Sequence, residues 1–363
     1  MRYTIFGESH GPAIGVVMEG VPPGLLLDMD FIRRQMMRRA PGQSGLSTPR
    51  KEADEVTLLS GVLDGKTTGA PLCAVIPNTD TRSKDYSKLR RCPRPGHADY
   101  TGQMRYGGYN DIRGGGHFSG RLTAPLVFAG ALAQLYLQTR AISVGAHIQQ
   151  IGGVSDNAPD SISWTKALFD PVKEKEFPVF SDQQGKKMQD VILAAKSAGD
   201  SVGGVIAAGI FGLPAGCGGP DLLDTAEGVI ARQLFAVPAV KGVAFGAGFG
   251  FGAMRGSGAN DSFYMDETGA VRTRTNHSGG VNGGITNGMP VLFQAAFRPT
   301  PSISLPQETI NLETRELETL VIEGRHDPCI VHRAVPVVEA AAALAAWTIL
   351  DIGAEMGGPA WQK

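Results

Sequence analysis

Apolar positions recur along this chain in two rhythms. Runs of strand length, bounded by Gly, Pro or Asn, fall at Glu55–Leu59, Pro71–Ile76, Gly203–Phe211 and Gly288–Phe297. Longer stretches with helical spacing fall at Met29–Arg39, Arg121–Arg140, Thr309–Glu323 and Val335–Ile352. Strands and helices are interspersed, which predicts an α+β or layered α/β fold. No low-complexity tract, long linker or charged tail divides the sequence. The nearest thing to a boundary is Ser155–Gln184, where Ser, Asp, Pro and Lys collect around a short helical pattern, and it reads as an insertion rather than a linker. Gly203-Gly204-Val205-Ile206 and Gly283-Gly284-Ile285-Thr286 each open an apolar run, a hint of internal duplication.

The most apolar stretches, Ala124–Leu137 and Pro336–Leu350, are interrupted by Gln134 and Glu339. Neither reaches the roughly 18 uninterrupted apolar residues of a membrane span. The N-terminal residues run straight into Phe6-Gly7-Glu8-Ser9-His10 with no signal-peptide pattern. The four cysteines, Cys73, Cys92, Cys217 and Cys329, are scattered, and neither they nor the seven histidines show metal-ligand spacing. A reduced, cytoplasmic protein without a bound metal is the expectation.

Charge sharpens this picture. The 363 residues carry 34 Lys and Arg against 35 Asp and Glu, which argues against a binder of nucleic acid by bulk positive charge. Within the basic set, however, 22 are Arg and 12 are Lys. Arg binds carboxylate or phosphate through a planar fork, so this tilt suits an anion-recognising pocket, although surface pairs would use Arg equally well. The 49 glycines, about one residue in seven and twice average usage, point to many tight turns and close backbone approaches.

Two familiar motifs fail. Gly61-Val62-Leu63-Asp64-Gly65-Lys66-Thr67 is one residue short of a phosphate-binding P-loop, and Gly69 and Pro71 follow where a helix should start. The glycines of Gly246–Gly252 do not fit the dinucleotide-binding pattern.

Four segments combine Gly with His and Arg in a way that a packed core does not require. Gly7-Glu8-Ser9-His10-Gly11 leaves a histidine poorly shielded, as proton transfer near neutrality would need, or as a solvent-facing turn would. Arg94-Pro95-Gly96-His97-Ala98-Asp99 presents a cation, an imidazole and a carboxylate on one turn, functional or merely superficial. Asp111–Thr123, with Gly114, Gly115 and Gly116 between Arg113 and Arg121, leads into a helical run and offers backbone N–H groups to a phosphate. Gly324-Arg325-His326-Asp327-Pro328-Cys329 precedes the last helix as a candidate catalytic loop. Asn276–Gly288 and Phe297–Ser302 read either as further anion-cradling surfaces or as structural turns. The residues alone point to an enzyme acting on a polyanionic small molecule, with a phosphate-bearing cofactor.

In this order, the motifs resemble those of chorismate synthase over essentially the whole chain. The matching segments are Gly7–Gly11 with Ile14-Gly15-Val16-Val17, Arg38-Arg39 with Gly42-Gln43-Ser44, and Thr48-Pro49-Arg50-Lys51-Glu52. Ser60–Gly69, Asn78-Thr79-Asp80, Arg94–Asp99, Asp111–Arg121, Asp200-Ser201, Asn276–Gly288 and Gly324–Cys329 follow. The resemblance implies a single domain over 1–363, an α+β fold built as a layered β-α-β sandwich, and a homotetramer with some cofactor contacts from a neighbouring subunit. It also implies conversion of 5-enolpyruvylshikimate 3-phosphate into chorismate and phosphate. That reaction is a 1,4-anti elimination that requires reduced FMN without net redox change.

The resemblance further implies roles for individual residues. His10 would protonate the leaving phosphate, His97 would face the reduced flavin, and Asp327 would help relay the C6 proton. Ser9, Arg39, Arg94, Arg121 and Arg325 would bind substrate anions. FMN would be held by Arg39, His117, Phe118, Ser119, Pro238, Ala239, Gly283, Arg298, Pro299, Thr300, Pro301, Ser302 and Arg325. Gly45 stands where the family often carries Arg, Arg298 replaces a more usual Lys, and the first strand is short. A binder that has lost catalysis would not need His10, His97 and Asp327 together, and a net flavin oxidoreductase would be expected to carry a pyridine-nucleotide motif. Some relatives reduce their own flavin with NADPH, a property this sequence leaves open.

Overall fold

The computed structural model describes residues 1–42, 46, 54–79, 87–219, 221–322 and 326–355. Along the chain, β1 (Arg2–Gly7) and β2 (Ala13–Glu19) lead to α1 (Met29–Arg39). Then come β3 (Thr57–Ser60), the small hairpin of β4 (Val62–Leu63) and β5 (Lys66–Thr67), and β6 (Leu72–Pro77). Three helices follow: α2 (Ser87–Arg91), α3 (Asp99–Tyr106) and α4 (Thr123–Gln138). The second half opens with β7 (Ser143–Ile151), β8 (Val154–Ser155), α5 (Lys166–Lys173), α6 (Asp182–Ser197) and β9 (Gly204–Phe211). It continues through α7 (Ala226–Phe235), β10 (Val240–Phe245), α8 (Gly256–Ala259), β11 (Phe263–Met265) and β12 (Val271–Thr273). It closes with β13 (Val281–Asn282), β14 (Ile285–Thr286), β15 (Val291–Phe297), β16 (Gln307–Ile310), β17 (Leu317–Leu320) and α9 (Val331–Glu355).

Two antiparallel sheets, ordered β1-β2-β6-β3 and β10-β15-β9-β7-β8, enclose a helical layer. The first sheet turns one face inward by simple alternation: Ile14, Val16 and Met18 on β2 and Leu72, Ala74 and Ile76 on β6 are almost fully buried. α4 lies between the sheets, touching β1, β2 and β6 on one side and β7 on the other, so 13 of its 16 residues are buried and it is apolar all round. α9 packs on α4 so closely that a Cβ on Gly130 would sit 2.2 Å from that of Ala340, which only glycine allows. α9 is long and apolar enough to cross a membrane, but it is mostly buried as the central core helix. One hydrophobic core runs through both sheets and the helices between them.

The hint of duplication is realised, though not between the phrases that suggested it. Gly204 starts strand β9, whereas Gly283 and Gly284 form the two-residue turn between β13 and β14. The equivalent pieces are β2–α1–β4/β5–β6 and β9–α7–β13/β14–β15. In each, the small hairpin carries a threonine that locks the turn after the first strand. Thr67 Oγ1 donates to the Pro22 carbonyl at 2.6 Å and accepts from Leu25 N, and Thr286 Oγ1 donates to the Pro214 carbonyl at 2.6 Å and accepts from Cys217 N. The failed P-loop is thereby explained, as Asp64 (φ 49°) and Gly65 (φ 73°) make the tight turn of the β4–β5 hairpin.

Other expectations shift. Thr309–Glu323 is not a helix. Its described residues form the β16–β17 hairpin, because the Asn311 side chain accepts from the N–H groups of Glu313 and Thr314 and Arg315 takes a φ of 63°. The helix expected from Arg121 starts at Thr123, after a single 3-10 turn over Gly120–Leu122. β1 has the ordinary length of six residues and pairs with β2 from end to end. Ser155–Gln184 packs α5 onto the outer face of the five-stranded sheet, where Trp164 and Phe169 join Ala207, Phe211 and Leu292 in a second apolar cluster. The four cysteines are unpaired.

Candidate functional site

Five loops converge where the C-terminus of α1 meets the N-termini of α4 and α9. They are the β1–β2 turn, the turn before α3, the glycine loop before α4, the segment after β15 and the segment before α9. Helix N-termini carry partial positive charge, so the fold itself favours an anion there before any side chain is counted.

The glycine loop organises the two candidate histidines. Gly114, Gly115 and Gly116 all have positive φ (57°, 88° and 52°), a path that residues with side chains rarely follow. A Cβ on Gly114 would lie 2.1 Å from His10 Cε1, and one on Gly115 would lie 3.3 Å from His97 Nε2. Consecutive glycines therefore seat His10 and His97 against one short piece of backbone. Ser9, fully buried, fastens the β1–β2 turn to the same loop, its Oγ 3.0 Å from both the Gly114 carbonyl and His10 Nδ1.

The arginines form a second tier. Arg39 Nη1 lies 2.5 Å from Asp54 Oδ2, and Arg121 Nη1 bonds Asp54 Oδ1; all three side chains are nearly inaccessible. Burial pulls the Arg39 guanidinium down to about 10, opposed by Asp54 and reinforced by Arg333 and Arg121, so it stays protonated at neutral pH. Asn78 ties this tier to His10: its Oδ1 accepts from Arg121 Nε, while its Nδ2 donates to the carbonyls of Glu8 and Gly11. At the other end, Arg333 Nε donates to the Arg39 carbonyl at 3.2 Å and its Nη1 pairs with Asp327 Oδ2 at 3.1 Å.

Arg94 is held rather than loose. Its Nε and Nη2 grip both oxygens of Asp99 at 2.7 and 2.8 Å, its Nη1 reaches Ser302 Oγ, and His97 Nδ1 stands 2.7 Å from Asp99 Oδ1. Burial alone would raise the Asp99 carboxyl, but the bonds from Arg94 and His97 outweigh it and hold it far below the usual carboxylate range. Asp99 thus orients both its neighbours.

The segment after β15 joins from below. Arg298 donates to the Gly96 carbonyl and its N–H to that of Ala239, which brings Pro238 and Ala239 alongside. Pro299 lies against Gly203, Thr300 Oγ1 donates to the Asp327 carbonyl, and the Pro301 carbonyl accepts from Gln307. His117 Nδ1 is 3.0 Å from the Gly7 carbonyl, Phe118 is partly exposed beside Tyr106, and Ser119 Oγ accepts from Arg121 N.

The structure therefore brings together every described residue assigned a role by the resemblance except Gly283. That glycine lies in the β13–β14 turn, beyond the far end of β15, a strand that alone spans about 20 Å. In Asn276–Gly288, the N–H groups of His277 and Ser278 are taken by Asp261, so this run is clamped from within the chain. Arg325, Gly45 and most of Gln43–Glu52 lie outside the described residues. Asp54, Asn78 and Arg333 were not singled out as site residues. Asn78 sat inside a matching motif, while Asp54 and Arg333 left no local signal.

A profile of the family described as chorismate synthase matches residues 1–351. A chorismate synthase of Thermococcus kodakarensis is 46% identical over 344 residues, covering 94% of both chains. Those of Methanothermobacter thermautotrophicus and Dehalococcoides mccartyi are 44% and 45% identical, covering 94% and 93% of this chain and 90% and 92% of their own. A crystal structure of chorismate synthase superimposes with a TM-score of 0.76 at 25% identity, covering 98% of this chain and 93% of that one. The resemblance carried by the motifs, the helical layer between two sheets and these matches agree: the chain belongs to the chorismate synthase family, lyases of the shikimate pathway.

Proposed function

We propose that the converging loops catalyse loss of phosphate from 5-enolpyruvylshikimate 3-phosphate by 1,4-anti elimination, giving chorismate and inorganic phosphate. The observation that carries this reading is the seating of His10 and His97 on consecutive glycines beside two arginines that share Asp54. The C6–H bond breaks and its electron pair becomes a C1–C6 double bond, the ring double bond shifts from C1–C2 to C2–C3, and the C3–O bond breaks with its pair leaving on the phosphate. Arg39 and Arg121, with the N-terminus of α4, neutralise the phosphate as it gains charge. His10 delivers a proton to that phosphate, oriented by Ser9. Asp327, gripped by Arg333, is the carboxylate that helps relay the C6 proton.

The same residues fit a flavin mononucleotide. Three glycines without side chains, the partly exposed Phe118, the hydroxyls of Ser119 and Ser302, and the Arg298 guanidinium offer flat contact together with phosphate donors, while Thr300, whose hydroxyl proton goes to the Asp327 carbonyl, is carried over from the family as a contact. Reduced FMN, when bound, supplies electron density transiently and recovers it, so the reaction involves no net redox change. Arg39, His117, Pro238, Ala239, Pro299, Pro301 and Arg325 complete the set carried over from the family. Gly283 would reach such a site from a neighbouring copy, which supports a homotetramer. Exposed Phe249, Phe263 and Met265 offer apolar surface for that contact. A cytoplasmic, single-domain enzyme completes the reading.

Anaerobic incubation with chemically reduced FMN and substrate should release chorismate and phosphate in equal amounts, with the flavin still reduced. A second arm with oxidised FMN and NADPH shows whether the protein reduces its own flavin. Tight flavin binding without either product would overturn the catalytic reading.

A further inference from the structure

The motif Asn78-Thr79-Asp80 has no part in the chemistry assigned above. Its first residue follows β6 directly, and the β2–β6 ladder places it: Ala13 faces Pro77, so Asn78 comes opposite Pro12. The Asn78 N–H donates to the Pro12 carbonyl at 3.1 Å, but Pro12 has no N–H to return the bond, and the ladder stops there. The side chain of Asn78 is left half-buried between the β1–β2 turn and Arg121.

Both ends of that amide are engaged. Its Nδ2 donates to the Glu8 carbonyl at 3.0 Å and to the Gly11 carbonyl at 2.8 Å, and its Oδ1 accepts from Arg121 Nε at 3.1 Å. The network fixes the amide's orientation, because a flipped one would set oxygen against two carbonyls and N–H groups against a guanidinium. Glu8 and Gly11 bracket Ser9 and His10, and the Gly11 N–H closes the turn on the Glu8 carbonyl at 3.0 Å. Ser9 pins the middle of this turn to the glycine loop, and Asn78 pins its two ends to the arginine tier. Arg121 has further anchors, since Asp54 accepts from its Nη1 and the Pro77 carbonyl from its Nη2. Loss of Asn78 should therefore disturb the aim of His10 more than the hold on Arg121.

We propose that Asn78 is a positioning residue, one that sets the proton donor His10 at its working distance from a phosphate held by Arg121. The proposal rests on the reading above that His10 protonates the leaving phosphate. Proton transfer demands close and aligned partners, so a small rotation of the turn loses rate while the substrate still binds.

The test is steady-state kinetics of the full chain with reduced FMN, arranged as double-mutant cycles. Asn78→Ala removes all three side-chain bonds. Asn78→Asp keeps the size and the acceptor for Arg121 but loses both donors, and it carries the test if the alanine variant folds poorly. Each should lower kcat about tenfold and leave KM within a factor of about three. In a His10→Ala background the same changes should cost less than about twofold, because no imidazole remains to be placed; in a His97→Ala background the full loss should return. A raised KM with unchanged kcat, or the same loss with and without His10, would overturn the proposal. A second readout needs no turnover: in histidine-labelled protein, the His10 NMR signal, assigned by its absence from His10→Ala, should move when inorganic phosphate saturates the site. In Asn78→Asp it should move no more than about half as far. An equal response in the two proteins, none included, would also overturn the proposal. No chorismate from the wild type would overturn the reaction assigned above, and the His10 signal would then decide the role of Asn78 alone.

Discussion

Arg39 and Arg121 divide one carboxylate between them, each taking one oxygen of the buried Asp54. The two cations come from different helical elements, α1 and the turn before α4, and Asp54 itself sits at a positive φ of 51°. The shared acid holds them side by side, where their like charges would otherwise repel, with their attraction for a further anion partly retained.

Asp54→Asn should leave two buried guanidiniums facing a neutral amide. Removing one partner of a buried ion pair costs about 3–5 kcal/mol, so the urea midpoint should fall clearly and turnover should drop with it. A midpoint equal to that of the wild type would show that the pairing contributes no stability.

His10→Ala and His97→Ala should each lower turnover by roughly 10²–10⁴, the usual worth of a general acid or base, with circular dichroism unchanged. FMN binding should remain measurable in both. Either variant turning over at the wild-type rate would remove that histidine from the chemistry.

Gly114→Ala places a methyl group where His10 now lies and forces a side chain onto a φ of 57°. It should lose at least tenfold in turnover, since a displaced general acid forfeits most of its effect. Gly120→Ala, in the same loop but facing open space, is the matched control and should stay within a factor of a few. Comparable rates for the two variants would mean that the fit of His10 against the loop is unimportant.

Asp99→Asn removes the charge and one of the two acceptor oxygens that hold Arg94 and His97. Bonds to a charged group are worth about 1.5–3 kcal/mol, and this loss should appear in urea unfolding at pH 7. Because the folded carboxyl titrates far below its ordinary value, its stabilisation is present above the unfolded pKa near 4 and fades only as pH falls through the depressed folded one. The gap between wild type and variant should therefore stay constant from neutrality down to about pH 5 and narrow only in stronger acid. A gap that closed near pH 6 would point to another group.

Much of this protein was legible from one dimension. Period-two and helical spacing located the strands β6, β9 and β15 and the helices α1 and α9, because burying one face or one stripe imposes that rhythm on the sequence itself. Clusters of Gly with His and Arg located the loops that carry His10, His97 and Arg121, because a backbone that must come close to a ligand cannot carry side chains there. The failure at Thr309–Glu323 is equally physical. Its apolar spacing suits a helix, but the side chain of Asn311 captures two N–H groups that a helix would need, and the chain turns back as β16–β17.

What only the tertiary structure decided is the pairing of groups far apart in sequence. Asp54 lies 15 residues from Arg39 and 67 from Arg121, and no local pattern announces a carboxylate that will be shut between them. Arg333 is hidden in the apolar rhythm of α9, yet it is what links Arg39 to Asp327. Conversely, Gly283 shares a family motif with the site but lies beyond the far end of β15, out of reach within one chain. Hydrophobic periodicity and glycine placement are local demands and so are written locally. The charge pairs that set the electrostatics of the site depend on which helix ends the two sheets bring together.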